Sequence, residues 1–188
     1  MYRTLEFYYD VLSPYSYICF CRLPGLVKRS GAALLMKPVS LPRLLELTGN
    51  PAPLTVAAKA AYLRTDCARL SRYYGIPLEW PVAHPQRTGR AMTVLALLQE
   101  GERLRLTRTL FNAVWIEGND LGQPEILEAL VGAELYAAAA EVDAKALLQG
   151  NTDELAQRGG FGVPSLWFNE QLYFGNDRLF LVERAFNE

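Results

Sequence analysis

Residues 10–16 read Asp10-Val11-Leu12-Ser13-Pro14-Tyr15-Ser16, and they join two patterns of different period. Upstream, residues 5–9 form a short apolar-aromatic run that reads as a strand. Downstream, Ser13-Pro14 opens a helix, because serine caps the free N–H groups of a first turn and the fixed φ of proline suits the first helical position. Apolar positions between 17 and 27 carry that helix to Gly31, and residues 33–39 read as a second strand. A strand-helix-strand unit of this kind predicts a right-handed parallel crossover.

Between about residues 42 and 160 no convincing strand occurs. Residues 56–74 are alanine-rich and amphipathic, with Gly75 as the stop. Residues 76–86 hold Pro77, Pro81 and Pro85 and predict a stiff, extended connection. Residues 88–115 read as two helices broken near Gly101, and 124–130, 142–148 and 151–158 as shorter helical pieces. Strand signals return at 165–168 and 171–174 around Asn169-Glu170, a tight hairpin turn. Gly175-Asn176-Asp177 then caps a last helix to about Phe186. The order predicts an α/β protein, with a thioredoxin-like four-stranded sheet and an inserted helical domain. The sheet domain is assigned to residues 1–41 and 160–188, and the inserted domain to 42–159.

The chain has 188 residues, of which 51% are hydrophobic and 21% charged, so a real core is expected and general disorder is excluded. A net charge of -1 argues against strong attraction to nucleic acid or an acidic membrane. No apolar run approaches the ~20 residues that span a bilayer. The charged first ten residues lack the layout of a secretory signal, so a cytoplasmic protein is expected. The odd set Cys19, Cys21 and Cys67 argues against a disulfide framework and reads as small buried hydrophobes. One histidine, His84, excludes a multi-histidine zinc site, and no metal is expected.

In a thioredoxin-type fold the chemistry sits where the first strand turns into the first helix. A dithiol enzyme would carry Cys-x-x-Cys there, and this chain has Ser-Pro-Tyr-Ser. Dithiol exchange is therefore argued against. The helix N-terminus still favours an anion, such as an external thiolate. Ser13 is a helix cap or a catalytic hydroxyl. Val163, before Pro164, belongs to a rigid turn or leaves its backbone free for a peptide-like ligand. Gly175-Asn176-Asp177 is a cap, or a site for an amino-acid head group in which Asp177 meets the ammonium. By default Gly49-Asn50-Pro51 is a turn and Lys59 a solvated lysine. His84 and Arg87 lie in a surface loop or reach a substrate carboxylate. Tyr15, Trp80 and Trp115 are core residues or the lining of an aromatic pocket.

Taken in order, several motifs resemble one family. Residues 7–17, Gly49-Asn50-Pro51, Tyr62-Leu63 with Asp66, and Gly75-Ile76-Pro77-Leu78 are similar to 2-hydroxychromene-2-carboxylate isomerases and kappa-class glutathione transferases. So are Phe111, Val114-Trp115, Phe161-Gly162-Val163-Pro164 and Phe174-Gly175-Asn176-Asp177-Arg178. The resemblance covers nearly the whole chain. It implies a DsbA-like thioredoxin domain with an inserted helical domain and glutathione as cofactor. Ser13 would contact the glutathione sulfur, Asn50 and Lys59 the tripeptide, Val163 the cysteinyl backbone, and Asn176 and Asp177 the γ-glutamyl end. Tyr15, His84 and Arg87 would face a small aromatic acid. Two departures concern that second substrate. Leu45-Glu46-Leu47 stands where the isomerases often carry a basic residue, and His84 replaces an aromatic one. The short chain and the Gly-Asn-Asp-Arg motif favour the isomerase, in which thiolate addition is reversible and glutathione is not consumed. A transferase, or a glutathione-binding protein without turnover, is the alternative. Relatives of this kind are often homodimers.

Overall fold

The computed structural model describes residues 3–187 and contains a four-stranded mixed sheet. β1 (Thr4–Tyr9) and β2 (Ala33–Pro38) run parallel, joined through α1 (Pro14–Ser30). β3 (Ser165–Phe168) pairs antiparallel with the other edge of β1, and β4 (Gln171–Phe174) completes the order β2-β1-β3-β4. β1 is thus central, and Leu5, Phe7, Tyr8 and Tyr9 are all fully buried. That explains a run that is apolar on both faces. Asn169 and Glu170 turn the hairpin at φ of 48° and 60°, the left-handed pair that a two-residue loop requires.

The inserted helices are α2 (Leu41–Thr48), α3 (Ala57–Tyr74), α4 (Gly89–Leu97), α5 (Glu100–Trp115), α6 (Pro124–Val131), α7 (Ala133–Ala138) and α8 (Val142–Gln157); α9 (Leu179–Ala185) closes the fold. They share one core with the sheet. Phe111 of α5 meets the rings of Tyr9, Tyr17 and Phe20 at 5.2–5.9 Å. The Trp115 indole donates to the Val11 carbonyl at 2.9 Å, pinning α5 to the turn after β1.

Four local expectations are corrected. α8 is continuous where the sequence suggests two pieces. A glycine inside a helix costs about 1 kcal/mol, but the buried stripe Ala144, Leu148, Thr152 and Leu155 runs past Gly150 and keeps it helical. The α4–α5 break falls before Glu100, and Gly101 lies inside the first turn of α5. α2 and α7 are helices that the sequence reading did not separate from connections. Cys21 is exposed, whereas Cys19 and Cys67 are buried as expected.

Asp10 was not singled out from sequence, yet it is the most heavily used carboxylate of the turn. It is 1% exposed. One oxygen accepts the Leu12 N–H and the Thr88 hydroxyl, each at 2.9 Å; the other accepts the Leu41 N–H at 2.9 Å. It therefore ties the end of β1 to the starts of α2 and α4. Burial pushes its pKa up, and the three donors pull it back.

Candidate active site

Ser13 caps α1 and is almost completely buried. Its Oγ accepts the Ser16 N–H at 3.1 Å, and its own N–H donates to the Asp10 carbonyl at 3.0 Å. The hydroxyl proton goes to the Val163 carbonyl at 3.4 Å, a long and weak bond. That proton is free to turn toward a better acceptor, at a helix end whose dipole favours negative charge.

The strand opposite Ser13 begins with the cis peptide Val163–Pro164. The Val163 N–H has no partner among the described residues. Asn50, just past α2, donates from Nδ2 to the Phe161 carbonyl at 2.8 Å and braces this segment. The Gly175 N–H donates to the Pro164 carbonyl at 2.9 Å, which brings the Gly175-Asn176-Asp177 turn alongside. Gly175 has φ of 101°, and a Cβ there would lie 2.5 Å from the Asp177 carboxylate. The positive φ calls for glycine, while the exposed Asp177 side chain could move aside. The Asn176 carbonyl accepts Arg22 Nη1 at 2.6 Å, and its Oδ1 is buried without a partner among the described residues. Asp177 is exposed and paired with Arg178. Contacts between neighbouring segments thus set Ser13, Val163, Asn50 and the Gly175-Asn176-Asp177 turn around the same strand start. Lys59 stands exposed at the start of α3, without a polar partner among the described residues.

A second group adjoins the turn through Trp115. The rings of Trp80, His84 and Trp115 lie 4.9–5.5 Å apart, centre to centre. Trp80 Nε1 and His84 Nδ1 are both buried and unpartnered among the described residues. Burial, helped by the nearby Arg64 charge, lowers the His84 pKa from 6.5 to about 4. The ring is neutral at physiological pH, so it can offer a hydrogen bond but not a charge. The cation over this cluster is Arg64, 5.0 Å from the Trp80 ring, which sequence reading missed. Its position on α3, one residue after the buried Leu63, was the available signal. Arg87 is exposed, with no polar partner among the described residues. The Tyr15 hydroxyl donates to Asp66 at 2.8 Å, and Tyr62 approaches the other oxygen of that carboxylate at 3.4 Å. Burial and Asp66 together raise the Tyr15 pKa, so it stays a neutral donor. The cysteines offer no activated thiol: burial pushes Cys67 up to about 12, and Cys19 and Cys21 are also raised. Among the described residues no helix is long and apolar enough to cross a membrane.

Residues 4–187 match the family described as the DSBA-like thioredoxin domain. The chain belongs to that family. This DSBA-like protein is 30% identical over 191 residues to 2-hydroxychromene-2-carboxylate isomerase of Pseudomonas putida, covering 96% of the chain and 93% of the relative. It is 28% identical over 210 residues to human glutathione S-transferase kappa 1, covering 99% and 92%. A solved 2-hydroxychromene-2-carboxylate isomerase superposes with a TM-score of 0.87 at 28% identity, covering 98% of this chain and 94% of that one. The cytosolic disulfide reductase DsbM of Pseudomonas aeruginosa shares the fold, with a TM-score of 0.62 at 15% identity. Both families suggested by the order of the motifs are thus among the relatives of this DSBA-like chain.

Proposed function

We propose that the protein is a glutathione-dependent isomerase acting on 2-hydroxychromene-2-carboxylate or a related aromatic-degradation acid in the cytoplasm. The observation that carries this reading is the Ser13 hydroxyl at the α1 N-terminus, its proton held only by a 3.4 Å contact and no activated thiol beside it. The buried, unpartnered Asn176 Oδ1 supports a ligand with an ammonium group at the γ-glutamyl end. When bound, glutathione supplies a thiolate that adds reversibly to the conjugated acid and leaves after a bond has rotated.

This chain's residues divide the remaining work. Ser13 donates to the sulfur, and the α1 dipole adds to that stabilisation. The unpaired Val163 N–H and its carbonyl offer a strand edge to the cysteinyl backbone. Asn50 holds that edge through Phe161, and Lys59 adds a positive charge from α3. Asn176 and Asp177 take the ammonium. On the other side Tyr15, His84 and Arg87 face the aromatic acid, with Trp80 and Trp115 as the wall beside His84. His84, neutral, acts there as a hydrogen-bonding partner.

The kappa-class relatives support a second reading, a glutathione S-transferase. Incubation with catalytic glutathione and 2-hydroxychromene-2-carboxylate separates the readings when substrate absorbance and free thiol are followed together. Isomerisation at constant thiol supports the isomerase. Thiol loss with an electrophile replaces it by the transferase, and silence in both assays leaves a binding protein.

A further inference from the structure

A second cleft, lined by none of the residues of the candidate active site, opens between three helices. α2, α4 and α8 line a cavity of about 360 Å³. Its charged lining is of one sign: Arg43, Arg90 and Lys145, with no aspartate or glutamate, in a chain whose net charge is -1. Like charges around one hollow repel, and little in the fold offsets them. Arg90 is fixed in place, its Nη1 donating to the Tyr136 carbonyl at 2.9 Å and its guanidinium stacked 4.6 Å from the Tyr136 ring. Neither contact neutralises it. Arg43 pairs with Glu46 at 2.8 Å, but both side chains are well exposed, so the pair is weak and easily surrendered. Lys145 has no partner among the described residues, and neither has Gln149 beside it on α8.

The geometry points to a binding site for a small molecule carrying at least two negative charges, a phosphate ester or a polycarboxylate. Arg90 supplies a preset planar donor, while Arg43 and Lys145 supply mobile charges that close on the ligand. The site is one carboxylate away from the Ser13 turn. Ser40 and Gly89 line the cleft, and their neighbours Leu41 and Thr88 both donate to Asp10. It is separate from the proposed glutathione site, whose residues line none of it.

The test is titration calorimetry and thermal denaturation of the whole protein, without glutathione, at fixed ionic strength. Inorganic phosphate, citrate and acetate are the probes. We expect saturable binding with a rise in melting temperature for phosphate or citrate and none for acetate. A response to phosphate alone identifies a phosphate ester as the ligand type, and one to citrate alone a polycarboxylate. Lys145→Gln and Arg43→Gln, both at exposed positions, should each weaken binding by about tenfold or more. Lys59→Gln, which lies outside the cleft in the proposed glutathione site, should leave it unchanged. No saturable response to phosphate or citrate would overturn the proposal, as would an undiminished response in both cleft variants. Loss of the response in Lys59→Gln would move the anion to the glutathione site and likewise overturn it.

Discussion

Replacing Asp10 by alanine removes the acceptor of three donors at once: the Leu12 and Leu41 N–H groups and the Thr88 hydroxyl. The Thr88 hydroxyl can rotate toward another acceptor, but the two backbone groups cannot. An orphaned buried donor costs about 1–3 kcal/mol, so the total is about 3–5 kcal/mol after partial rescue by water. In a chain of this size that lowers the melting temperature by roughly 10 °C. Asp10→Asn keeps one acceptor oxygen. It can serve Leu12 and Thr88 while its amide opposes the Leu41 N–H, and should recover about half of the loss. Urea denaturation of both variants beside wild type measures the differences. A loss below about 1 kcal/mol for Asp10→Ala would refute the reasoning, because the donors would then be satisfied without the carboxylate.

Three further outcomes follow from the site. His84 stays neutral in the fold down to about pH 4 but is protonated in the unfolded chain below 6.5, so stability falls as pH drops through that window. The full displacement corresponds to about 3 kcal/mol, and with the ring partly open to solvent about 1–2 kcal/mol is expected. His84→Gln should flatten that part of the pH–stability profile, and an unchanged slope would remove His84 as its source. Asp177→Ala should weaken glutathione binding about fivefold, as expected for an exposed carboxylate already shared with Arg178, with little effect at saturating glutathione; calorimetry with equal affinities would take Asp177 out of the site. Arg64→Ala and Arg87→Ala should each raise KM for an acidic aromatic substrate several-fold and leave glutathione affinity alone. Equal effects on neutral and acidic substrates would exclude both as carboxylate partners.

What was legible in the sequence is what short-range chemistry decides. Ser13-Pro14 and Gly31 bound α1 because capping is a matter of adjacent residues, and Gly31 takes the left-handed conformation with its N–H on the Val27 carbonyl. The Asn169-Glu170 hairpin and the Gly75 stop of α3 belong to the same class. Burial decided the misread elements. α8 survives Gly150 because one face is covered, and Cys21 is exposed because it lies on the uncovered side of α1. The long-range contacts left no local trace. Asp10 meets partners 31 and 78 residues away, Asn50 meets Phe161 across 111, and Ser13 meets Val163 across 150. The neutrality of His84, in the connection between α3 and α4, depends on burial among two tryptophans and on an arginine of α3.

The central claim is that Ser13 stabilises a glutathione thiolate by hydrogen bonding and forms no covalent bond itself. A free thiol titrates near ~8.5, and a bond worth ~1.5–3 kcal/mol to the thiolate lowers that by roughly one to two pH units. The α1 dipole adds a smaller effect of the same sign. Thiolate absorbance of bound glutathione, followed against pH in wild type and in Ser13→Ala, measures this directly. The account predicts a titration shifted upward by about one to two pH units in Ser13→Ala, with turnover at neutral pH reduced ~10–100-fold and partly restored at higher pH. Superimposable titration curves would contradict it and leave Ser13 as the cap of α1.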